Sequence, residues 1–289
     1  MQRRAGVEDM ADQVGAGILD TVPPGARRFL ATQRFAVAST IDKDGRVWAS
    51  ALAGEPGFLT GVDSQLVRIV PQPIAEDPLL SNLKVRPELG LLVLDPTTRQ
   101  RMRFNGRGLV TDGDLFLLVK QVYGNCPKYI QKRRLRTEAV ATTVGKAAVS
   151  TSLSETQRSW IEAADTFFIA SFHPEGGADA SHRGGLPGFV AVQSPSRLVF
   201  PDYPGNAMFN TLGNLSAYPK AGLLFVNFEN GDVLQLAGQV RIDDDFAVHV
   251  DIAEVRETKH AIALRYDFVE YSPTNPRVVT PRRARHPKR

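Results

Sequence analysis

Asp179-Ala-Ser-His-Arg183 brings a carboxylate, a hydroxyl, an imidazole and a guanidinium into five consecutive residues, and Gly-Gly-Leu-Pro-Gly-Phe-Val190 follows directly. If this stretch is a β-strand running into a turn, side chains two apart share a face, so Asp179, Ser181 and Arg183 point the same way. A hydroxyl beside a guanidinium fork matches the oxygens of a phosphate. Gly184, Gly185 and Pro187-Gly188 let the backbone turn tightly and approach a ligand closely. Taken alone, the same residues also describe a twisted hairpin with Arg183 as a solvated edge charge.

An earlier stretch echoes this one. At an offset of 131, Gly45, Ala49, Ser50, Gly54, Pro56, Gly57 and Phe58 fall on Gly176, Ala180, Ser181, Gly185, Pro187, Gly188 and Phe189. At 132, Leu80, Asn82, Leu83, Pro87, Gly90, Leu91, Leu92 and Gly106 fall on Leu212, Asn214, Leu215, Pro219, Gly222, Leu223, Leu224 and Gly238. A period this long is a domain duplication and not a solenoid. The copies differ where chemistry would sit: Ser50-Ala51-Leu52 replaces Ser181-His182-Arg183, keeping the hydroxyl and losing the cation.

The elements that must position these residues read as follows. Residues 1–27 form an N-terminal arm with one short helix. Residues 28–136 form a first unit, with strands at Phe35–Ile41 and Arg46–Ala53 joined by the turn Asp42-Lys-Asp-Gly45. A helix capped by Asp77-Pro78 runs to about Val85, and strands follow at Leu89–Leu94 and Arg101–Val110. Arg99, Arg101, Arg103 and Arg107 occupy alternate positions, a candidate anion contact or a wet strand face. Asn125-Cys-Pro-Lys-Tyr-Ile130 reads as a helix start, with Cys126 a small buried side chain. Residues 137–153 read as a linker. Residues 154–272 form the second unit, opened by a capping box at Ser154 and ended near Tyr271, and 273–289 form a basic tail. About six strands and one internal helix per unit, with hairpin-like connections, predict a mainly β (α+β) protein. The fold expected is two tandem antiparallel split barrels with short flanking helices.

The 289 residues suffice for two cores, and 43% hydrophobic with 23% charged residues is globular composition. No apolar run reaches membrane-span length and no apolar signal core follows the N-terminus, so a cytoplasmic protein without a membrane partner is expected. A single cysteine excludes an internal disulfide. Of the 35 basic residues six lie in Arg277–Arg289, leaving 29 against 31 acidic in the body. That tail is a solvated end or a polyanion contact; without interleaved aromatic residues or a DNA-binding motif, nucleic acid is not the expected partner. No Cys/His spacing suits a metal.

The central stretch, the loop Phe200-Pro201-Asp202-Tyr203-Pro204-Gly205-Asn206, Asn214, Pro219 and Gly222-Leu-Leu-Phe225 resemble the pyridoxamine 5′-phosphate oxidase-like, FMN-binding split-barrel superfamily. Trp48-Ala-Ser50, Gly54-Glu-Pro-Gly-Phe58, Arg101–Gly106 and Gly124–Gln131 are similar to its tandem-barrel subgroup. The resemblance covers about residues 2–271. It implies that Ser181 and Arg183 hold an FMN phosphate, helped by Pro201, Asp202, Tyr203, Gly205 and Asn206 and by Asn210, Thr211 or Asn214. It places Gln235 on a strand lining the flavin ring, and makes Trp48, Ser50, Arg101, Arg103 and Lys128 candidates for a second wall from the first unit. His182 stands where relatives often carry proline, adding a titrating group beside the flavin.

The function so implied is an FMN-dependent oxidoreductase acting on a small molecule or passing electrons to an acceptor such as dioxygen. The donor would be NAD(P)H or a reductase, and the assembly a homodimer. Without the C-terminal Trp-to-Arg substrate motif, a true pyridoxamine phosphate oxidase is not expected. No triad or carboxylate pair is needed, because flavin carries the redox chemistry. The alternatives are a non-catalytic FMN or haem binding protein, and a nucleic-acid or structural partner acting through residues 277–289. The asymmetry between the copies predicts one flavin per chain.

Overall fold

A computed structural model describes residues 1–70, 76–111, 114–136 and 145–276. The first unit contains β1 (Phe35–Ile41), β2 (Val47–Ala53), β3 (Leu59–Gly61), β4 (Leu66–Ile69), β5 (Glu88–Asp95), β6 (Gln100–Thr111) and β7 (Asp114–Gly124). After β8 (Lys132–Leu135) and β9 (Ala148–Ser150), the second contains β10 (Thr166–His173), β11 (Gly177–Gly184), β12 (Ala191–Ser194) and β13 (Arg197–Phe200). It ends with β14 (Lys220–Val226), β15 (Val233–Ile242), β16 (Val248–Thr258) and β17 (Tyr266–Glu270). The helices are α1 (Gln2–Ala5), α2 (Glu8–Gly15), α3 (Pro24–Thr32), α4 (Leu79–Val85), α5 (Glu155–Ala163) and α6 (Asn210–Ala217).

The sheets run β2-β1-β5-β6-β7-β4-β3 and β11-β10-β14-β15-β16-β13-β12, the same path once the repeat is applied. Every pairing is antiparallel, and the edges do not meet. These are two tandem split barrels. Local chemistry explains their turns: Gly45 takes φ +73 in the β1–β2 hairpin, where the Asp42 carboxylate accepts from the Asp44 and Arg46 amides at 2.9 and 2.8 Å. The Ser154 capping box closes both ways, Gln157 N–H donating to Ser154 Oγ at 3.2 Å and Ser154 N–H to Gln157 Oε1 at 2.9 Å.

Three apolar clusters hold the molecule: one inside each barrel, and a third built from both, including Phe35, Ala49, Leu92, Phe168, Ala180 and Leu224. The barrels meet back to back through the repeated glycines. A Cβ at Gly90 would lie 2.6 Å from Asp179 Cα, and one at Gly222 would lie 2.6 Å from the Val47 carbonyl oxygen. β11 therefore lies against β5, and β2 against β14, under a pseudo-two-fold relation.

Several expectations are corrected. The first sheet has seven strands and the second eight, β9 pairing with β16 beside its seven-strand path; β4 is only four residues long and gives little periodicity. The arm folds into α1 and α2, and α3 crosses its expected end. Asn125–Ile130 is not helical: Tyr129 adopts φ +67, and its amide donates to Ser272 Oγ and Thr274 Oγ1, each at 3.1 Å. Cys126 is half-buried and not in a core. Within the expected linker β9 pairs with β16, while 137–144 lie outside the described residues, as do 277–289 of the basic tail. The arginine alternation breaks at a bulge between Asn105 and Gly106, which leaves Arg107 exposed. Arg99, at φ +57, precedes the strand and pairs with Glu270 at 3.2 Å.

Candidate functional site

β11 places Asp179, Ser181 and Arg183 on one face, and β6 of the other barrel presents Arg101, Arg103 and Asn105 to it. Arg103 donates through Nη1 to Asp179 Oδ2 at 2.8 Å and through Nη2 to Ser181 Oγ. Asp179 Oδ1 also accepts from Asn105 Nδ2 at 3.0 Å and from the Tyr123 hydroxyl at 3.2 Å. Asn210, the first residue of α6, donates to that hydroxyl at 2.8 Å. Arg183 donates to Ser181 Oγ at 3.1 Å and pairs with Asp202 at 3.0 Å, while Arg101 donates to the Cys126 carbonyl and His182 Nδ1, both at 3.1 Å.

Three guanidinium groups thus face two carboxylates, and Arg101 has no carboxylate partner among the described residues. Burial, with Arg103 and Arg183 as like-charged neighbours, draws the Arg101 pKa down to about 9. Burial and then Arg101, Arg183, Arg133 and Arg103 hold His182 well below its ordinary value. His182 is therefore neutral at physiological pH and does not titrate there, correcting the sequence expectation. Since Arg101 donates to Nδ1, the proton sits on Nε2, which is buried without a partner. Arg103 Nε and Arg183 Nε are likewise buried and unpaired. Excess positive charge and unused donors fit a polyoxygen anion, so the residues present suit a phosphate monoester. α6 supplies more donors, for it starts after Phe209 at φ +55 with no side-chain cap on its first amides.

A cavity of about 300 Å³ adjoins the cluster, bordered by Asn105, Tyr123, Asp179, Asn210, Met208 and Ile18 among others. The Pro201–Asn206 loop runs alongside: Asp202 pairs with Arg183, and Tyr203 packs 5.4 Å from the Tyr129 ring. The Tyr129 hydroxyl donates to the Pro204 carbonyl at 2.7 Å, and Asn206 Oδ1 accepts from the Met208 amide at 3.3 Å, with exposed Gly205 between. Thr211 is buried in the first turn of α6, and Asn214 borders the cavity while donating to Ser171 Oγ at 3.0 Å. Lys128 is half-buried in the loop that carries Tyr129. Gly184 does admit a close approach, but to protein: the Tyr129 carbonyl occupies the place a Cβ would take.

Trp48, Ser50 and Gln235 stand elsewhere, in the mirror image of this cluster. Gln235 donates to the Ala49 carbonyl at 2.9 Å and to Asp77 at 3.0 Å. Trp48, the counterpart of Asp179 in the strand register, is buried beneath the Arg256 guanidinium at 5.3 Å and donates to Asp42 at 3.0 Å. No hydrogen bond among the described residues joins the two clusters. Burial alone would raise Asp42, but hydrogen bonds from Trp48 and Arg46 together with the Arg46 charge pull it below its ordinary value. A lowered native pKa contributes stability above the unfolded value, near 3.9, that is lost as pH falls through the native value. Asp42→Asn is therefore expected to flatten the acid limb of a plot of melting temperature against pH, most visibly between about pH 5 and 3. An unchanged acid limb would exclude this role.

Sequence reading missed Asn105, Tyr123, Met208 and Ile18 as site residues. Asn105 was within reach, since it continues the Arg101, Arg103 alternation; the other three depend on tertiary packing.

Among the described residues no helix is long and apolar enough to cross a membrane, and no group of His, Cys, Asp and Glu is arranged to hold a metal. A family profile described as pyridoxamine 5′-phosphate oxidase matches residues 153–279. Similar solved structures include HupZ of Group A Streptococcus, at 10% identity over 35% of this chain and 93% of that one, TM-score 0.29. Another is a pyridoxamine 5′-phosphate oxidase homologue from Lactobacillus delbrueckii, at 20% identity over 37% and 94%, TM-score 0.28. A third is HutZ, the heme storage protein of Vibrio cholerae, at 15% identity over 36% and 94%, TM-score 0.26. No curated protein matches the chain. Residues 153–279, which include the second barrel, thus match the pyridoxamine 5′-phosphate oxidase family directly, and the first barrel repeats the strand order of the second.

Proposed function

We propose that the chain binds one FMN through its 5′-phosphate at the Arg101–Ser181–Arg183 cluster and acts as an FMN-dependent oxidoreductase on a small molecule. The observation that carries this reading is the buried excess of positive charge, three guanidinium groups against two carboxylates with unpaired donors beside them. When bound, FMN supplies the electron and hydride chemistry, and the protein holds and orients it.

Arg183 and Arg101 carry the phosphate charge, with the Ser181 hydroxyl and the first amides of α6 as further donors. Asp179 fixes the Arg103 fork. Burial of the Tyr123 hydroxyl, reinforced by Asp179, pushes its pKa up to about 12, so it stays protonated and holds Asn210 against the cluster. The mirror cluster lacks this grip, because Leu52 replaces Arg183 and the Trp48 indole takes the place of the Asp179 carboxylate; this supports one cofactor per chain. NAD(P)H or a reductase as electron donor and a second copy of the chain as partner extend the same proposal.

The test is the visible spectrum of the purified protein and the FMN released on denaturation, followed by turnover of NAD(P)H with an acceptor. A flavin spectrum with close to one FMN per chain supports the site, and turnover separates an enzyme from a carrier. A colourless protein that takes up no added FMN overturns it. Haem is not favoured by the geometry, since Arg101 occupies His182 Nδ1 and the ring packs edge-on to Phe168 at 5.8 Å.

A further inference from the structure

The cavity beside the phosphate cluster is bordered on one side by a segment belonging to neither barrel, through Ile18. The arm leaves the second barrel, where Gln2 Nε2 donates to the Met208 carbonyl at 3.1 Å and Arg4 Nη2 to the Asp243 carbonyl at 2.7 Å. Arg4 also reaches Asp244 at 3.5 Å, and its guanidinium lies 4.4 Å over the Phe246 ring. Phe246 packs 5.7 Å from Phe209, and Met208 and Phe209 both border the cavity. Fourteen residues beyond Arg4, Ile18 lines the same cavity, and Leu19 exchanges two backbone hydrogen bonds with Val122 of the first barrel, at 2.9 and 2.7 Å.

The two anchors differ in strength. α1 buries no residue and α2 buries only Ala11, leaving Met10 and Val14 exposed. The end on the second barrel therefore rests on half-buried Met1 against that barrel's core, a few polar contacts and one cation–π stack, the last two weak at exposed positions. The Leu19 end is a two-bond bridge that leads into α3, whose Ala26 and Leu30 are buried. Elements with little buried apolar surface open first. Gly15, the last residue of α2, and Gly17, between α2 and the bridge, give the arm a place to bend.

We propose that residues 1–20 are a strap over the ligand cavity, and that lifting α1 from the second barrel while Leu19 stays pinned is the step that admits or releases ligand. Its ligand-exchange consequence rests on the FMN reading above; its geometry does not. Met208, 8% exposed and holding Gln2 through its carbonyl, reports on the strap without any ligand.

The experiment compares the full-length chain with Arg4→Glu, which sets like charge against Asp244, and with Arg4→Lys, which keeps the cation. In ligand-free protein, peroxide oxidation of Met208, followed by peptide mass spectrometry, should be about tenfold faster in Arg4→Glu and near wild type in Arg4→Lys, the factor given by a loss of about 1.4 kcal/mol. With FMN, association and dissociation rates should rise by a common factor of about ten, leaving Kd within about twofold. Wild-type rates of both Met208 oxidation and FMN exchange in Arg4→Glu overturn the strap. So does weaker FMN binding at an unchanged association rate, which makes the arm a wall and not a gate. If no form binds FMN, that reading fails by itself and Met208 oxidation alone decides the strap.

Discussion

Arg183→Ala is expected to weaken FMN binding by about a hundredfold, so that protein purified without added cofactor is nearly colourless. Arg183 offers two charge-assisted contacts, each worth about 1.5–3 kcal/mol where the partner is an ion, and 1.4 kcal/mol is a factor of ten. The loss stays near the low end of their sum because Arg183 already pairs with Asp202 at 3.0 Å, so phosphate must share or displace that carboxylate. Burial raises the Asp202 pKa while Arg183 opposes it, so removing the guanidinium lets the carboxyl take up a proton more readily and spares the fold. Fluorescence titration with FMN gives the affinity, and far-UV circular dichroism checks the fold. Ser50→Ala, in the mirror cluster, should bind FMN as the wild type does. Equal affinity in Arg183→Ala would remove the phosphate from this cluster; equal losses in both variants would remove the asymmetry between the barrels.

Asp179→Ala should be the most damaging single change at the site, lowering the unfolding free energy of ligand-free protein by about 3–5 kcal/mol. Asp179 and Arg103 are only 3% and 7% exposed, and the carboxylate accepts from Arg103, Asn105 and Tyr123 together. Its removal leaves a buried guanidinium without a counter-ion and the Tyr123 hydroxyl without an acceptor, and leaves Asn105 only its longer bond to Gln121 at 3.4 Å. Chemical denaturation with the midpoint and slope measured together reads the loss. The double variant Asp179→Leu with Arg103→Met should recover more than half of it, because an apolar pair of similar volume replaces a buried ion pair at little cost. A loss below about 1 kcal/mol in Asp179→Ala would show that water reaches the pair and that the cluster is not the dry, positively charged site described.

Much of this was legible before any coordinates. Alternation along one strand put Asp179, Ser181 and Arg183 on a common face, and the repeat, carried by its glycines, located two barrels with one strand order. The Arg101 and Arg103 pair was visible as a cationic strand, but its partners were not: Arg103 and Asp179 are 76 residues apart and meet only because the barrels dock through Gly90 and Gly222. The same docking explains why Trp48, Ser50 and Gln235 gather in a second cluster, since a pseudo-two-fold axis gives each β2-type strand its own partner. The mistaken helix at Asn125–Ile130 has a related cause. Local signals favoured it, and the Tyr129 amide was claimed instead by Ser272 and Thr274 from the far end of the chain.

The short ribbon of β8 and β17 joins the end of one barrel to the end of the other, Leu135 opposite Tyr266, and neither strand belongs to a larger sheet. During synthesis β8 therefore emerges long before its only partner exists. The apolar back of the first barrel, with Phe35, Ala49 and Leu92, waits bare for the same interval. Contacts so distant along the chain close late and slowly, and bare apolar surface is exposed to misassembly meanwhile. The duplication thus couples the two halves in time as well as in space: the first copy can complete its fold only when the ribosome has all but finished the second.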